Sequence, residues 1–220
     1  MNCLIIAATS LEINPFLSYL GKENIFAHEI DVLITGIGLT ATTYSLLNQV
    51  KVKKPDLIIQ AGVGGCFDLN MKLGTVVAVK KEAIADQSVV ELKTLKTLFD
   101  LNLLPQNKFP FTKGWLVNTN EVFKKIKLKK ATGISVNEIT TDKKKVNLYR
   151  KSFNPVVESM EGAALHYVSL MEKIPFIQIR SISNYIAERN KRNWNMKEAV
   201  ENLNKELISI LLQLKPQSKN

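Results

Sequence analysis

The segment that constrains the fold most is the run Val157-Glu158-Ser159-Met160-Glu161-Gly162-Ala163-Ala164. A short apolar strand, residues 156–157, leads into this run, and an apolar helix follows it. Small residues let a backbone approach a ligand or a neighbouring element closely, and open α/β sheets present their sites where strands turn into helices. We therefore expect Glu161 at the mouth of a pocket. The alternative is that Glu161 only stabilises the dipole of the helix that follows.

Short apolar or β-branched runs alternate with helical periods along the rest of the chain. The predicted strands are 4–7, 32–35, 57–60, 75–79, 134–136, 156–158 and 177–182. Apolar side chains recur at helical spacing over 39–50 and again from Met196 to Leu214, where Asn195 and Glu198 resemble a capping pair. This pattern predicts an α/β fold in a single domain, residues 1–215, with a mixed twisted central sheet flanked by helices. Residues 100–113 are expected to form a surface loop, and residues 216–220 a disordered tail.

The composition is that of one soluble globular domain. The chain has 220 residues, of which 45% are hydrophobic and 23% charged, and this length is sufficient for one well-buried core. No apolar run is long enough for a membrane span. Because Met1 leads directly into a predicted strand, we expect no export signal. Cys3 and Cys66 are too far apart in sequence to form a metal-spaced pair. We expect a cytoplasmic protein that needs no cofactor, metal or membrane partner.

The formal net charge of +10 raises the question of a nucleic-acid partner. Its lysines lie in scattered groups at 51–54, 124–130 and 143–145, with no arginine-rich stripe and no stacking aromatic residues among them. Solvated faces explain such groups better than RNA binding, which would show a steep salt dependence. We therefore expect no nucleic-acid partner, although the charge can attract an anionic substrate.

Several separated motifs occur in a fixed order along the chain. They are MNCLIIAATSLE at 1–12, the glycine turns TGIG at 35–38 and AGVGG at 61–65, the run at 157–164, and RSISN at 180–184. Together they resemble the nucleoside phosphorylase and nucleosidase superfamily, whose members break the N-glycosidic bond of nucleosides. With HYV at 166–168 and ERN at 188–190, they most resemble the futalosine hydrolases, which release hypoxanthine from futalosine in an alternative menaquinone pathway. The resemblance implies a nucleoside substrate and a homo-oligomer with pockets near the interface.

The resemblance also identifies a candidate base. By analogy with glycoside hydrolysis, an N-glycosidic bond breaks through a transition state with positive charge on the sugar. The site then needs a base for the water, a partner for the sugar hydroxyls and an acceptor for the charge of the departing base. The resemblance assigns the first role to Glu12, past the end of the first strand. The alternative is a helix N-terminal acid, with Thr9 or Ser10 as the cap.

The sugar-binding group is expected in the run at 157–164. A carboxylate can accept from both ribose hydroxyls, and the resemblance gives this role to Glu161, with Met160 along the sugar. Glu158 is either a second polar contact or a strand-end carboxylate paired with a lysine. Relative to methylthioadenosine nucleosidases, Ser159 is an extra residue, which puts the role of Glu158 in question. The remaining residues that we assign to the substrate are Gly62, Ile139 and Thr140.

Asn184 is the residue that discriminates between bases. Adenine-cleaving relatives carry Asp at this position, whereas an Asn side chain can donate from its NH₂ to the O6 and N7 acceptors of a 6-oxopurine. That donation strengthens as charge develops on the departing base, as catalysis requires. Asn184 therefore favours hypoxanthine or guanine over adenine. The alternative is an Asn that ends a strand through a local turn.

The same motifs leave other functions open. The loop at 7–12 contains no arginine and ends in a carboxylate that would repel phosphate, which favours hydrolysis over phosphorolysis. A methylthioadenosine/S-adenosylhomocysteine-type nucleosidase and a purine nucleoside phosphorylase remain alternatives. The glycines at 36–38 also match a dinucleotide-binding fingerprint, which requires a ribose-binding acid at the end of the next strand. Asp56 precedes that strand and Gln60 ends it, so the expected acid is missing. His28 and His166 are too isolated for a metal site.

Overall fold

The computed structural model describes residues 1–21, 28–188 and 190–214. Its strands are β1 (Asn2–Ala7), β2 (Glu29–Ile34), β3 (Leu57–Cys66), β4 (Val76–Ile84), β5 (Ser88–Glu91), β6 (Thr94–Thr97), β7 (Phe111–Thr112), β8 (Trp115–Val117), β9 (Lys129–Ser135), β10 (Val157–Ser159) and β11 (Phe176–Tyr185). Its α-helices are α1 (Ser10–Leu20), α2 (Leu39–Val52), α3 (Glu121–Lys125), α4 (Lys143–Phe153), α5 (Gly162–Met171) and α6 (Met196–Gln213). The predicted tail at 216–220 and the middle residue of the 188–190 motif lie outside the described residues.

The central sheet is mixed and curls on itself. β1 lies between β2 and β3, with both pairings parallel, and β11 runs parallel to β3 along its other edge. β4 pairs antiparallel with β11 and parallel with β9, and β10 pairs parallel with β9 and antiparallel with the end of β3. The strands β3, β11, β4, β9 and β10 therefore form a closed ring. This arrangement confirms the predicted α/β fold with a mixed central sheet flanked by helices.

Apolar side chains on both faces of β1 hold the helices against the sheet. Cys3 and Ile5 belong to one cluster with buried residues of α1 and α6, whereas Leu4 and Ile6 belong to another with buried residues of α2 and α5. Because successive side chains of a strand point to opposite faces, a strand buried on both faces needs this continuous apolar run. The predicted core strand is thus the centre of a three-layer structure.

Three details differ from the sequence-based expectations. The glycines at 61–65 are not a turn but the second half of β3, where neighbouring groups fill the space that side chains would need. The hairpin β5–β6 and the short strands β7 and β8 were not predicted, because their residues, most of them exposed or only partly buried, lack a clear apolar alternation. Lys130 also departs from the predicted solvated face, since its Nζ donates to the carbonyls of Phe123 and Ile126.

None of the described helices combines the length and apolar character needed to cross a bilayer.

Candidate active site

A cavity of about 320 Å³ opens at the ends of β1, β3, β10 and β11. Such a volume suits a small organic ligand. Its lining includes all but one of the residues that the sequence assigned to the site: Glu12, Ile139, Thr140, Glu158, Met160, Glu161 and Asn184. The exception is Gly62, which does not line the cavity. A Cβ at Gly62 would overlap the Arg180 guanidinium and lie 3.0 Å from Glu12 Oε1, so this glycine lets those two side chains approach beneath the cavity floor.

Glu12 lies at the start of α1 and is nearly buried. Its Oε2 accepts a hydrogen bond from the backbone N–H of Thr9 at 3.1 Å, and its Oε1 accepts one from the N–H of Val63 at 3.0 Å. The carboxylate therefore stabilises the helix N-terminus, as the alternative interpretation required, and also faces the cavity. Asn204 of α6 fixes this turn from behind, since its Nδ2 donates to the Glu12 carbonyl at 2.9 Å.

The surroundings of Glu12 make it a stronger base than an exposed carboxylate. Burial raises its pKa above the ordinary value, and the nearby Glu161 adds to this effect. Arg180 and the two backbone N–H groups act in the opposite direction. Oε2 also accepts from the Thr9 hydroxyl at 3.5 Å, whereas Oε1 accepts only from Val63 among the described hydrogen bonds. Oε1 therefore keeps a lone pair that can accept a proton from a water molecule held in the cavity.

Glu161 precedes α5 but does not cap it with its side chain. Its Oε1 accepts from the backbone N–H of Gly38 at 3.1 Å, and its Oε2 is 3.4 Å from Nη2 of Arg180. Both partners of this ion pair are almost fully buried. The carboxylate therefore has partners outside its own helix, because it is held between a glycine turn and β11.

The glycine turn at 36–38 thus has a defined use. Gly36 and Gly38 have φ angles of 82° and 92°, a region that glycine adopts readily and other residues rarely do. This conformation directs the N–H of Gly38 at Glu161. In a dinucleotide-binding turn, the corresponding N–H groups would face a pyrophosphate.

Within the part of the chain that the structure describes, Glu158 contacts a backbone group and no lysine. Its Oε1 accepts from the N–H of Thr140 at 3.0 Å, and burial raises its pKa. Its Oε2 has no hydrogen-bond partner among the described residues. Both Glu158 and Thr140 line the cavity, so the carboxyl holds the loop after β9 against the pocket and is available as a second polar contact.

Asn184 reaches the cavity through an irregularity in β11. Ile182 pairs with Gly64, but Asn184 pairs with Gly65, so Ser183 is an extra residue in the ladder. A bulge of this kind changes the direction in which the following side chain points. The Ser183 hydroxyl donates to Asn184 Oδ1 at 2.9 Å, and Asn184 Nδ2 donates to the carbonyl of Tyr185 at 3.0 Å. One N–H of the amide therefore remains for a ligand, where the sequence had led us to expect two.

The charged residues that line the cavity are all acidic. They are Glu12, Glu158, Glu161 and Glu188, and none of the described lining residues is Lys or Arg. Arg180 lies beneath the lining, where it contacts Glu161 and the Val63 carbonyl. The described lining therefore offers no cation to a phosphate ion. Apolar side chains make up most of the remaining wall: Leu11, Ile37, Ile186, Trp194, Met196 and Val200.

Arg180 is the main site residue to which the sequence analysis gave no role. It occurs within the quoted RSISN motif, in a strand that also carries the apolar residues Phe176, Ile177, Ile179 and Ile182. A charged side chain is rarely fully buried without a partner, so an arginine in such a strand predicts a buried carboxylate nearby. That signal could have paired Arg180 with Glu161 before the structure was known.

Comparisons with known proteins agree with the fold. A family model described as the phosphorylase superfamily matches residues 7–214. A 5'-methylthioadenosine/S-adenosylhomocysteine nucleosidase of Buchnera aphidicola is 24% identical over 92% of this chain and 87% of its own length. Futalosine hydrolase of Thermus thermophilus is 25% identical over 94% of this chain and 92% of its own length.

Solved structures give the same result for the architecture. A mutant of the Helicobacter pylori nucleosidase with 5'-methylthioadenosine in its active site superposes with a TM-score of 0.79, at 21% identity, covering 97% of this chain and 99% of that one. The native futalosine hydrolase of Helicobacter pylori superposes with a TM-score of 0.75, at 20% identity, covering 97% and 98%. At these identities the superpositions establish the fold alone.

Proposed function

This chain belongs to the phosphorylase superfamily, and on that premise we propose that it hydrolyses futalosine to hypoxanthine and dehypoxanthine futalosine. Cleavage of the N-glycosidic bond of a nucleoside is the coarser function that the family membership supports. The observation that carries the finer proposal is Asn184, an amide on the cavity wall where a carboxylate would suit adenine. The relative from Thermus thermophilus, whose name is futalosine hydrolase, adds support.

The proposed mechanism follows from the positions of the acidic groups. Glu12 takes a proton from a water molecule as the water attacks the anomeric carbon, so the C–N bond breaks while a C–O bond forms. Glu161, held by Gly38 and Arg180, accepts hydrogen bonds from the ribose hydroxyls. These bonds and the negative carboxylates stabilise the positive charge that develops on the sugar. Met160 lies on the cavity wall and packs along the sugar ring.

The departing base is assigned to the region around Asn184. The free N–H of its amide can donate to N7 and O6 together, since both are acceptors in hypoxanthine. An amide donates a hydrogen bond without releasing a proton. This suits hypoxanthine, because the O6 carbonyl of that base withdraws charge and lets the base leave more readily as an anion. Adenine presents an amino group in place of O6, and the shared donor would then face another donor.

We expect the wild-type protein to cleave futalosine at least about tenfold faster than its 6-amino analogue, because a polar group left unpaired costs about 1–3 kcal/mol, or one to two decades in rate. The Asn184→Asp variant should narrow or reverse this ratio, since a carboxyl can accept from the amino group and, when protonated, donate to N7. Initial rates measured by release of hypoxanthine or adenine test both statements. A wild type that prefers the amino analogue, or an unchanged ratio in the variant, would remove the main support for futalosine.

A methylthioadenosine-type nucleosidase is the second candidate. The apolar wall favours it, since it suits an alkylthio group, whereas the carboxylate of futalosine would find no Lys or Arg on the described lining. Several relatives carry that name. Incubation of the purified protein with futalosine, inosine and methylthioadenosine separates the candidates directly, because each gives a different sugar product.

We expect the reaction rate to be the same with and without inorganic phosphate, and the product to be the free sugar. The physical reason is the acidic lining, which repels an anion at the position of the nucleophile. Phosphorus NMR of the product mixture is the measurement. Detection of a sugar 1-phosphate would identify a phosphorylase and contradict hydrolysis.

We also propose that the protein is a homo-oligomer whose interface adjoins the pocket. The exposed fractions of Leu11, Ile37 and Ile139 are 72%, 61% and 48%, although all three line the cavity. Apolar side chains grouped at the edge of a site are typical of an interface with another protein. A monomer in sedimentation experiments at assay concentration would contradict this proposal.

A further inference from the structure

A second group of polar side chains lies beneath the cavity, between α5 and the sheet. We call it the Glu82 cluster and define it as Glu82 of β4, Ser135 of β9, His166 of α5 and Gln178 of β11. All four residues are fully buried, and none lines the cavity. A buried carboxyl without an ionic partner is costly in its charged form, so its presence in the core requires an explanation.

The cluster is connected to the helix that follows Glu161. The Ser135 hydroxyl donates to Glu82 Oε1 at 2.8 Å and accepts from the backbone N–H of Ala163 at 2.8 Å. Ala163 lies in the first turn of α5, two residues after Glu161. Glu82 thus contacts the start of this helix through one hydroxyl.

Two glycines leave the space that the Glu82 carboxyl group occupies. A Cβ at Gly133 would overlap Glu82 Oε2, and a Cβ at Gly162 would lie 2.6 Å from Glu82 Oε1. Gly162 directly follows Glu161. At position 162, any residue other than glycine would therefore displace either the Glu82 carboxyl or the turn that carries Glu161.

The surroundings of Glu82 favour its neutral form. The pKa of Glu82 is raised to about 8, mainly by burial and to a smaller extent by Glu161 at the start of α5, although the hydrogen bond from Ser135 and the charge of Arg180 on β11 act in the opposite direction. From α5, His166 is neutral, because burial lowers its pKa to about 4. β8 and β9 face Glu82 with Leu116, Gly133 and Ser135, which do not titrate.

We propose that Glu82 is a positioning residue that acts on the sugar through Glu161. As a neutral acid, it fixes the first turn of α5 and does not compete with Glu161 for the Arg180 guanidinium. If Glu82 ionised, a second buried carboxylate would attract the same guanidinium. Glu161 would then interact less strongly with Arg180 and bind the sugar less tightly. This inference rests on the proposed role of Glu161 as the sugar-binding group.

The kinetic test is the pH dependence of KM. For whichever nucleoside is cleaved, we expect the wild-type KM to rise about tenfold from pH 7 to 9.5, the loss expected for a hydrogen bond to a charged group, with a smaller change in kcat. In Glu82→Gln, which stays neutral, KM should rise only by the part that ionisation of the substrate causes. The exposed Glu201 of α6 supplies the control, because Glu201→Gln should reproduce the wild-type profile. Ionisation of the substrate itself affects all three proteins alike. The same alkaline rise in Glu82→Gln, or a flat wild-type profile, would overturn the proposal.

A second measurement does not depend on activity. The infrared spectrum at pH 7 should contain a protonated carboxylic acid band that is present in the wild type and Glu201→Gln and lost in Glu82→Gln. If no nucleoside is cleaved, the proposed function fails, while this band still decides whether Glu82 is neutral. Should Glu82→Gln not fold, Ser135→Ala removes the same connection, and an unchanged KM in that variant would overturn the proposal.

Discussion

The Glu12→Gln variant is expected to lose about a hundredfold or more in kcat, with KM much less affected. An amide cannot take a proton from water, and its NH₂ would face the N–H of Thr9 or of Val63, both of which now donate to the carboxylate. The variant should also lose the acidic limb of the pH profile. In the wild type, activity should be present above the raised pKa of Glu12 and fall as the pH drops through it, because only the ionised form is a base.

Steady-state kinetics from pH 4 to 8 give the required values. Thermal melting must accompany them, since Glu12 also stabilises the N-terminus of α1. A folded variant that keeps near wild-type turnover would show that Glu12 is only a helix-capping acid. Glu201→Gln is again the matched control, since it removes one carboxylate from an exposed position of α6.

The Glu161→Gln variant is expected to lose about two decades in kcat/KM and about 3 kcal/mol in the free energy of unfolding. Its carboxylate is the ionic partner of Arg180, and removal leaves a buried guanidinium without a counter-charge. The NH₂ of the new side chain would face Arg180 or the N–H of Gly38. Substrates that lack the 2′-hydroxyl should be poor for the wild type and lose less on substitution, because one of the affected hydrogen bonds is already missing.

Kinetics on a ribonucleoside and its 2′-deoxy analogue, together with denaturant unfolding, separate the two effects. The exposed pair Glu121–Lys124 supplies the control, since exposed ion pairs contribute little to stability and Glu121→Gln should change neither quantity. Equal losses on both substrates would indicate that Glu161 contributes to folding but not to sugar binding.

The sequence was sufficient to predict the architecture because the β strands of the core are short runs rich in apolar and β-branched residues. Residues 4–7 and 177–182 were identified on that basis, and both are strands in the structure. It was also sufficient to bring most of the site together, because the carboxyl ends of strands meet at one edge of an α/β sheet. Glu12, Glu161 and Asn184 lie far apart in the chain and face one cavity.

What the sequence could not give are the contacts that depend on backbone irregularity and on side chains crossing between strands. The bulge in β11 leaves Asn184 with one free N–H, and no residue pattern predicts which carbonyl takes the other. The role of Gly62 was misassigned because a glycine in a motif can serve a ligand or a buried neighbour equally well. No sequence pattern identifies Glu82 as a buried residue, because it follows two lysines and this part of the strand looks exposed.

The bulge in β11 also separates the two recognition tasks of the pocket. Arg180 pairs with Gly62 before it, and Asn184 pairs with Gly65 after it. Because side chains alternate along β3, Gly62 and Gly65 belong to opposite faces, and so do Arg180 and Asn184. The residue proposed to support the sugar-binding group and the residue proposed to read the base therefore act from opposite faces of β11, although only three residues separate them. With these proposed roles, a single substitution at Asn184 would change the base preference of the pocket and leave the contact between Arg180 and Glu161 in place.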